Sequence, residues 1–277
     1  MQIVANIIPY FRKELSKIFV DKEIVSFAYI SIEHIFGFNR SECIIYSNKI
    51  ISEKSFKKII QIISELKKSK PIQYILEETF FYGLKFKVNK HTLIPRPETE
   101  ELVEWILKEN FESAIDICTG SGCIAISLSK FRSANILGID ISEEALKIAK
   151  ENARLNNVEV DFICEDIFRI KQLKNVDLIV SNPPYVLASE KIHINKNVLD
   201  YEPHLALFVS DNDPLIFYER IAFLSKSFLR SGGKLFFEIN EIFSSELTTM
   251  LLDLGFVDIE LKKDINDKIR MIKATWK

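Results

Sequence analysis

The chain reads Ala114-Ile115-Asp116-Ile117-Cys118-Thr119-Gly120-Ser121-Gly122 from residue 114 to residue 122, and this stretch decides the fold class. Its first four residues form a short, mostly apolar run, which is typical of a buried strand. The two glycines permit a tight turn with positive φ, and a helical pattern follows them. Strand, glycine turn and helix in this order predict one unit of an α/β sheet.

The alternation of strands and helices continues toward the C-terminus. We predict further strands at residues 136–140, 160–163, 176–180 and 234–239, and a closing pair at 257–260 and 271–274. Ser142 is placed to cap a helix with Glu143 and Glu144 in its first turn, where the helix dipole favours negative charge. This pattern predicts an α/β domain with a mostly parallel sheet, covered by helices on both faces.

The N-terminal part of the chain has helical spacing instead. Three apolar stripes, within residues 7–19, 25–35 and 56–66, predict a small helical bundle. Pro71 ends this pattern, and the apolar segments 73–76 and 85–88 around Gly83 predict a β-hairpin that connects two domains. We therefore divide the chain into a helical bundle at 1–70, a β-hairpin linker at 71–92 and an α/β domain at 93–277.

Composition narrows the class of function. The formal net charge is only -2, which argues against a polyanion-binding protein. Residues 1–92 carry a net charge of +6 and residues 93–277 one of -8, and a solvated helix face explains the basic part better than an acidic partner does. The cysteines and histidines lack metal-ligand spacing, so we expect reduced thiols and no metal. Apolar runs are short, so we expect no membrane span and a cytoplasmic protein.

The glycine turn is a candidate cofactor site. Ligands of open α/β sheets bind beyond the carboxyl ends of the strands, and residues 118–122 lie there in the predicted fold. Glycines let a cofactor approach the backbone, and amides at the start of the next helix can receive an anion. Asp140 ends the next strand, where its carboxylate can accept hydrogen bonds from both hydroxyls of a ribose.

These features alone leave other functions open. Gly120, Gly122 and Ala125 satisfy the spacing of a dinucleotide-binding turn, so a nicotinamide-dependent enzyme is an alternative. A tight turn capped by Asp140, with no ligand at all, is another.

The segment Asp166-Ile167-Phe168, which follows the third predicted strand, suggests an adenine site. Asp166 is placed to reach an adenine amino group, and Ile167 and Phe168 are placed to pack on the ring. A helix cap followed by core residues explains the same three residues nearly as well.

The segment Ser181-Asn182-Pro183-Pro184-Tyr185 follows the fourth predicted strand, at the same edge of the sheet as the glycine turn. The prolines stiffen the backbone and lack N–H donors, so the Asn182 side-chain carbonyl and the Pro183 main-chain carbonyl remain as acceptors. Tyr185 supplies a flat ring that can stack on a planar group. Two acceptors and a ring can hold a planar NH2 group for methylation, and a hydride-transfer enzyme has no use for them.

With these motifs the chain resembles the PrmC/HemK family of protein-(glutamine-N5) methyltransferases, which modify peptide chain release factors. The residues that carry the resemblance are Pro71–Ile75, Phe81–Phe86, Leu93–Glu100, Asp116–Gly122, Asp140, Asn182–Tyr185, Tyr201–Pro203 and Ala206–Leu207. Asn-Pro-Pro-Tyr is shared with adenine and guanine methyltransferases. The combination of Asn-Pro-Pro-Tyr with Leu93–Glu100 and Glu202-Pro203 is much more specific to the PrmC/HemK family.

The resemblance implies a Rossmann-like class I methyltransferase domain with a seven-stranded, mostly parallel sheet, joined by the hairpin to a bundle that docks the release factor. It implies S-adenosyl-L-methionine as cofactor and, as substrate, the glutamine of the Gly-Gly-Gln motif of class 1 release factors. The implied cofactor contacts are Cys118, Thr119, Gly120, Ser121, Gly122, Asp140, Asp166, Ile167 and Asn182. The implied catalytic and substrate-binding residues are Asn182, Pro183, Pro184 and Tyr185.

The chain departs from the family pattern at four positions. Cys118, Glu77 and Asn240 stand where the family usually has glycine, and a side chain makes positive φ costly at Cys118, whereas Asn tolerates it at residue 240. Ile167 stands where an aromatic residue is common, so we expect aliphatic packing on the adenine.

Two further functions stay open. Methylation of an exocyclic nitrogen in RNA or DNA would call for a recognition domain or a strongly basic face, and neither is evident. A non-enzymatic binding module leaves the intact motif unexplained. We expect a monomeric enzyme with no membrane association and no stable nucleic-acid partner.

Overall fold

The computed structural model describes residues 2–277, and these form two compact units. The first unit contains the chain up to Glu77 together with Lys196–Tyr201, and the second contains Glu78–Asn195 and Glu202–Lys277. Residues 72–76, which the sequence assigns to the linker, thus belong to the first unit. Among residues 2–277, no helix combines the length and apolar composition that crossing a membrane requires.

The α-helices within residues 2–277 are α1 (Ile7–Leu15), α2 (Asp21–Phe36), α3 (Arg40–Ile45), α4 (Glu53–Leu66), α5 (Ile72–Leu76), α6 (Pro97–Ile106), α7 (Cys123–Phe131), α8 (Glu143–Leu155), α9 (Lys196–Tyr201), α10 (Ile216–Phe228) and α11 (Ser244–Asp253). The strands in the same residues are β1 (Glu78–Phe81), β2 (Leu84–Lys87), β3 (Ser113–Ile117), β4 (Asn135–Asp140), β5 (Asp161–Cys164), β6 (Val176–Ser181), β7 (Val186–Leu187), β8 (Phe208–Val209), β9 (Leu229–Glu238), β10 (Val257–Lys263) and β11 (Ile269–Thr275). Short 3₁₀ turns lie at Val4–Asn6, Ala188–His193, His204–Ala206 and Glu241–Phe243.

The first unit is the helical bundle that the apolar stripes predict. Phe11 and Leu15 of α1 and Ile59 of α4 are fully buried in one core. The prediction of a strand at residues 73–76 is wrong, because these residues form α5. Ile72 and Leu76, one helical turn apart, both enter the bundle core, and this period suits a helix and not a strand.

The hairpin consists of β1 and β2, which pair in antiparallel register. Its two-residue turn has φ 49° at Tyr82 and 73° at Gly83. This left-handed pair matches the twist of a hairpin. The buried side chain of Asn152 on α8 accepts from the Lys87 amide at 2.6 Å and donates to the Lys87 carbonyl at 3.0 Å. These bonds satisfy the main-chain amide and carbonyl of Lys87 on β2.

The second unit contains a seven-stranded sheet in the order β10-β11-β9-β6-β3-β4-β5, with β3, β4, β5, β6 and β9 parallel and β11 antiparallel to both of its neighbours. This confirms the predicted mostly parallel sheet. Along β3, Ile115 and Ile117 face the core beneath α10 and α11, whereas Ala114 faces the core beneath α6 and α7. The central strands are therefore buried on both faces, and their carboxyl ends form one edge.

Helix α6 starts at Pro97. Proline suits the first helical position because its missing N–H has no partner there and its φ is already helical.

Candidate active site

A cavity of about 400 Å³ opens at the carboxyl ends of the central strands, and cavities of about 300–1,000 Å³ are typical of small-molecule sites. The predicted site residues that line it are Cys118, Thr119, Gly120, Ser121, Asp140, Asp166, Ile167, Asn182 and Pro184. Gly122, Pro183 and Tyr185 were predicted but do not line it. The fold thus brings the glycine turn and the Asn182 segment, 60 residues apart in the chain, to one cavity.

The turn after β3 is left-handed at three positions, with φ 62° at Cys118, 55° at Gly120 and 79° at Gly122. Cys118 therefore keeps the backbone that the family supports with glycine, at a cost of about 1–2 kcal/mol. A Cβ on Gly120 would meet no atom within 4 Å, so open space for a ligand lies above it. A Cβ on Gly122 would meet Ile126 Cδ1 at 2.9 Å, so Gly122 serves the packing of α7.

Asp140 ties this turn to the end of β4. Its Oδ2 accepts from the Gly120 amide at 2.8 Å and its Oδ1 accepts from the Ser142 amide at 2.9 Å. Burial raises the pKa of Asp140, while the amides of Ser142 and Gly120 oppose that change. Each oxygen keeps a second lone pair that can accept from a ligand hydroxyl. Asp140 is therefore a structural brace as well as a candidate ribose acceptor.

Asp116 on strand β3 is fully buried beneath the turn. Its Oδ2 accepts from Thr119 Oγ1 at 2.6 Å and from the Ala125 amide at 3.1 Å. Its Oδ1 has no hydrogen-bond partner in residues 2–277. Burial raises the pKa of Asp116 to about 7. Sequence reasoning gave this acid no separate role, although a carboxylate inside an apolar strand was a usable signal.

One wall of the cavity is apolar. Ile167 is buried there, and the Phe168 and Phe217 rings beside it have centroids 5.5 Å apart. Asp166 Oδ1 accepts from the Phe168 amide at 2.9 Å, and Arg220 Nε donates to the Ile167 carbonyl at 3.0 Å. These bonds hold the segment after β5 in place. Ile141, which sequence reasoning missed, also lines the cavity.

Asn182 belongs to a hydrogen-bonded network of polar side chains. Asn182 Nδ2 donates to Thr99 Oγ1 at 3.4 Å, and Thr99 Oγ1 donates to Glu238 Oε2 at 2.6 Å. The Tyr185 hydroxyl donates to Glu238 Oε1 at 3.0 Å. Burial raises the pKa of both Tyr185 and Glu238. Sequence reasoning gave Thr99 and Glu238 no role in the site, and the only available signal for Thr99 was its place in the Leu93–Glu100 segment.

The segment before α6 is anchored by an ion pair between the half-buried Arg96 and the buried Glu202. Glu202, whose side chain is 1% exposed, accepts from Arg96 Nη2 at 2.6 Å and from the Ile94 amide at 3.2 Å. Arg96 and Thr99 both line the cavity. The pair thus positions the start of α6 at the site.

Asn240 corrects one expectation. Its φ is -76°, so this position does not need a left-handed residue. Its side chain instead accepts from the Ile242 amide at 3.3 Å and donates to the Tyr185 carbonyl at 3.4 Å. Asparagine therefore caps the following turn and holds the chain beside Tyr185.

Both parts of the chain match known protein families. Residues 7–76 match the PrmC N-terminal domain, and residues 97–201 match the methyltransferase small domain. The release factor glutamine methyltransferase of Flavobacterium psychrophilum is 46% identical, over 99% of this chain and 100% of that protein. The enzyme of the same name from Bacteroides thetaiotaomicron is 42% identical, over 97% and 99%.

Among solved structures, a methyltransferase from Pyrococcus furiosus has a TM-score of 0.55 at 17% identity, over 81% of this chain and 98% of that chain. At this identity the likeness concerns the fold alone.

Proposed function

We propose that this chain, which belongs to the release factor glutamine methyltransferase family, transfers a methyl group from S-adenosylmethionine to the side-chain amide nitrogen (N5) of the glutamine in the Gly-Gly-Gln motif of a class 1 release factor. The observation that carries the proposal is that Asn182 and Pro184 line the same cavity as the glycine turn and Asp140. A nucleoside-bearing methyl donor and a planar amide can therefore meet there.

The residues of the cavity fit the donor. Open space above Gly120 admits a ligand against the backbone, and Asp140 has lone pairs for the two ribose hydroxyls. Ile167 and Phe168 offer an apolar wall for the adenine, beside the carboxylate of Asp166. This assignment of cofactor contacts is part of the proposal.

Asn182 then acts on the substrate amide. With its NH2 directed to Thr99, the Asn182 carbonyl oxygen is the end that can accept from the target N–H. S-adenosylmethionine would supply an electrophilic methyl carbon: the amide nitrogen would gain the methyl group and lose one proton to solvent, and the sulfur would keep the electron pair of its broken bond to carbon. Preorganised acceptors stabilise the positive charge that develops on the nitrogen. The stacking role of Tyr185 and the acceptor role of the Pro183 carbonyl stay predictions.

The first unit is proposed to dock the body of the release factor. It exposes large apolar side chains close together in sequence, with Ile44 75%, Ile45 71% and Ile50 62% exposed. Exposed apolar side chains mark a protein-contact surface when they form a contiguous patch, and we propose that these three side chains do so. Because the substrate is a translation factor, we place the enzyme in the cytoplasm, acting as a monomer without a stable nucleic-acid partner.

The test is methyl transfer in vitro. The purified chain with labelled cofactor is given the intact release factor, a short Gly-Gly-Gln peptide or RNA, and mass spectrometry locates the methyl group. We expect one methyl on the glutamine amide. Asn182→Ala should lower single-turnover rates about 10²–10³-fold, with cofactor affinity retained in calorimetry. Modification of RNA with the release factor untouched would replace this function by a nucleic-acid methyltransferase.

A further inference from the structure

We propose that Thr99 and Glu238 are positioning residues that set the orientation of the Asn182 side-chain amide, so that its carbonyl oxygen and not its NH2 group faces the substrate. This inference rests on the proposed function, since it concerns the acceptor that holds the target nitrogen. It assigns a role to two residues outside the Asn182–Tyr185 segment.

The orientation matters because the two ends of an amide have nearly the same shape and opposite hydrogen-bonding character. The oxygen accepts hydrogen bonds, whereas the NH2 group donates two. The target nitrogen of a glutamine is itself a donor. An Asn182 side chain turned by 180° would place donor against donor, and the substrate amide would lose the acceptor that holds it.

The contacts around Thr99 fix the direction of each hydrogen bond. Glu238 is 1% exposed and receives the Thr99 hydroxyl at 2.6 Å and the Tyr185 hydroxyl at 3.0 Å. An ionised carboxylate only accepts, and a threonine hydroxyl has one proton. Once that proton is directed to Glu238, Thr99 has only lone pairs for Asn182. The Asn182 NH2 group, 3.4 Å away, is the end that can use them.

Arg270 and two donated hydrogen bonds oppose the rise in the pKa of Glu238 that burial causes. Arg270 on β11 lies with its guanidinium 5.9 Å from the centre of the Tyr185 ring, and its Nη1 donates to the Ile239 carbonyl at 3.2 Å. The Arg270 cation is thus bonded to the main chain of Ile239, the residue that follows Glu238. Two donated hydrogen bonds add to its effect, and such bonds to a charged acceptor are stronger than neutral ones.

The test compares two substitutions of Thr99 in the full-length chain. Thr99→Val keeps the shape and removes the hydroxyl, whereas Thr99→Ser keeps the hydroxyl. We expect Thr99→Val to lower kcat for a Gly-Gly-Gln peptide about tenfold, which is the order of one hydrogen bond. KM for the peptide, cofactor affinity by calorimetry and Tm should change little. Thr99→Ser should restore kcat to within about threefold of wild type.

Glu238→Gln gives a second measurement. A glutamine can direct either end of its amide at Thr99, so it no longer dictates the direction of the Thr99 proton. We expect kcat to fall with KM nearly unchanged, while circular dichroism shows a folded protein. Wild-type kcat in Thr99→Val, or equal losses in Thr99→Val and Thr99→Ser, would overturn this inference alone. A wild-type enzyme that leaves the glutamine peptide unmodified would overturn the proposed function and this inference with it.

Discussion

Single residues at the site combine support of the loop with contact to the cavity. Asp140 holds the Gly120 and Ser142 amides, and Asp116 holds Thr119 from below. Each carboxylate therefore has a structural role in the loop, besides any contact with a ligand. Removing Asp140 should therefore loosen the turn, in addition to any effect on the proposed ribose contact.

Asp116 predicts a pH dependence of stability. Its pKa of about 7, against 3.8 for an ordinary aspartate, means that the folded state holds a proton that the unfolded chain has already released. The free energy of unfolding should therefore fall as pH rises from about 4 to about 7 and level off above that, since each pKa unit corresponds to about 1.4 kcal/mol. The raised pKa values of Asp140 and Glu238 act in the same direction.

Asp116→Asn removes this contribution. Urea unfolding at pH 5, 6, 7 and 8 should show the variant gaining stability relative to wild type as pH rises. Asp177 and Asp264, whose pKa values are lowered, affect stability below this window and leave the comparison intact. A difference between variant and wild type that is the same at every pH would contradict the assignment.

At the scale of elements, two strained residues lie where one element ends and the next begins. Glu77 ends α5 with φ 58° and Cys118 follows β3 with φ 62°. Glycine takes such angles without cost, whereas other residues do so at about 1–2 kcal/mol. Both positions are those where the family usually has glycine, so the turns survive without it.

Glu77→Gly should therefore stabilise the protein. Relief of strain outweighs the extra freedom that glycine gives the unfolded chain, for a net gain of about 0.5–1 kcal/mol. Glu77→Ala is the matched control, because alanine retains the Cβ that causes the strain and should lie within about 0.5 kcal/mol of wild type. Thermal melts in which alanine stabilises as much as glycine would assign the effect to the lost charge.

At the scale of the whole molecule, the chain joins a basic first part to an acidic second part. Residues 1–92 carry a net charge of +6 and residues 93–277 one of -8. The proposed division of labour gives docking to the first unit and chemistry to the second. The exposed apolar residues Ile44 and Ile45 make this division testable without truncating the chain.

The double variant Ile44→Ser with Ile45→Ser should raise KM for the intact release factor several-fold. It should leave kcat/KM for a short Gly-Gly-Gln peptide unchanged, because the peptide reaches only the cavity. Stability should move by less than about 0.5 kcal/mol, since both side chains are exposed. Leu252→Ser, at a 56% exposed position on α11, is the matched control and should affect neither substrate. Equal losses on factor and peptide would count against docking by the first unit.

The sequence alone was enough to predict the helical first part, the alternation of strands and helices in the second part, the glycine turn and the position of Asn182 after β6. These features depend on residues that are close in the chain, through apolar period and turn chemistry. The helix at residues 72–76 escaped prediction because five residues are too few to distinguish a helical period from a strand period, and burial of Ile72 and Leu76 in the bundle decides its form.

The set of polar groups that meet at Asn182 became visible in the folded protein alone. Its partner Thr99 lies 83 positions away in the chain, and Glu238 lies 139 positions from Thr99. Local patterns carry no information about contacts at such separations, because those contacts arise when helix α6 packs against the sheet that contains strand β9. The direction of each hydrogen bond follows from that packing, which brings the hydroxyls of Thr99 and Tyr185 to the side chain of Glu238 as donors.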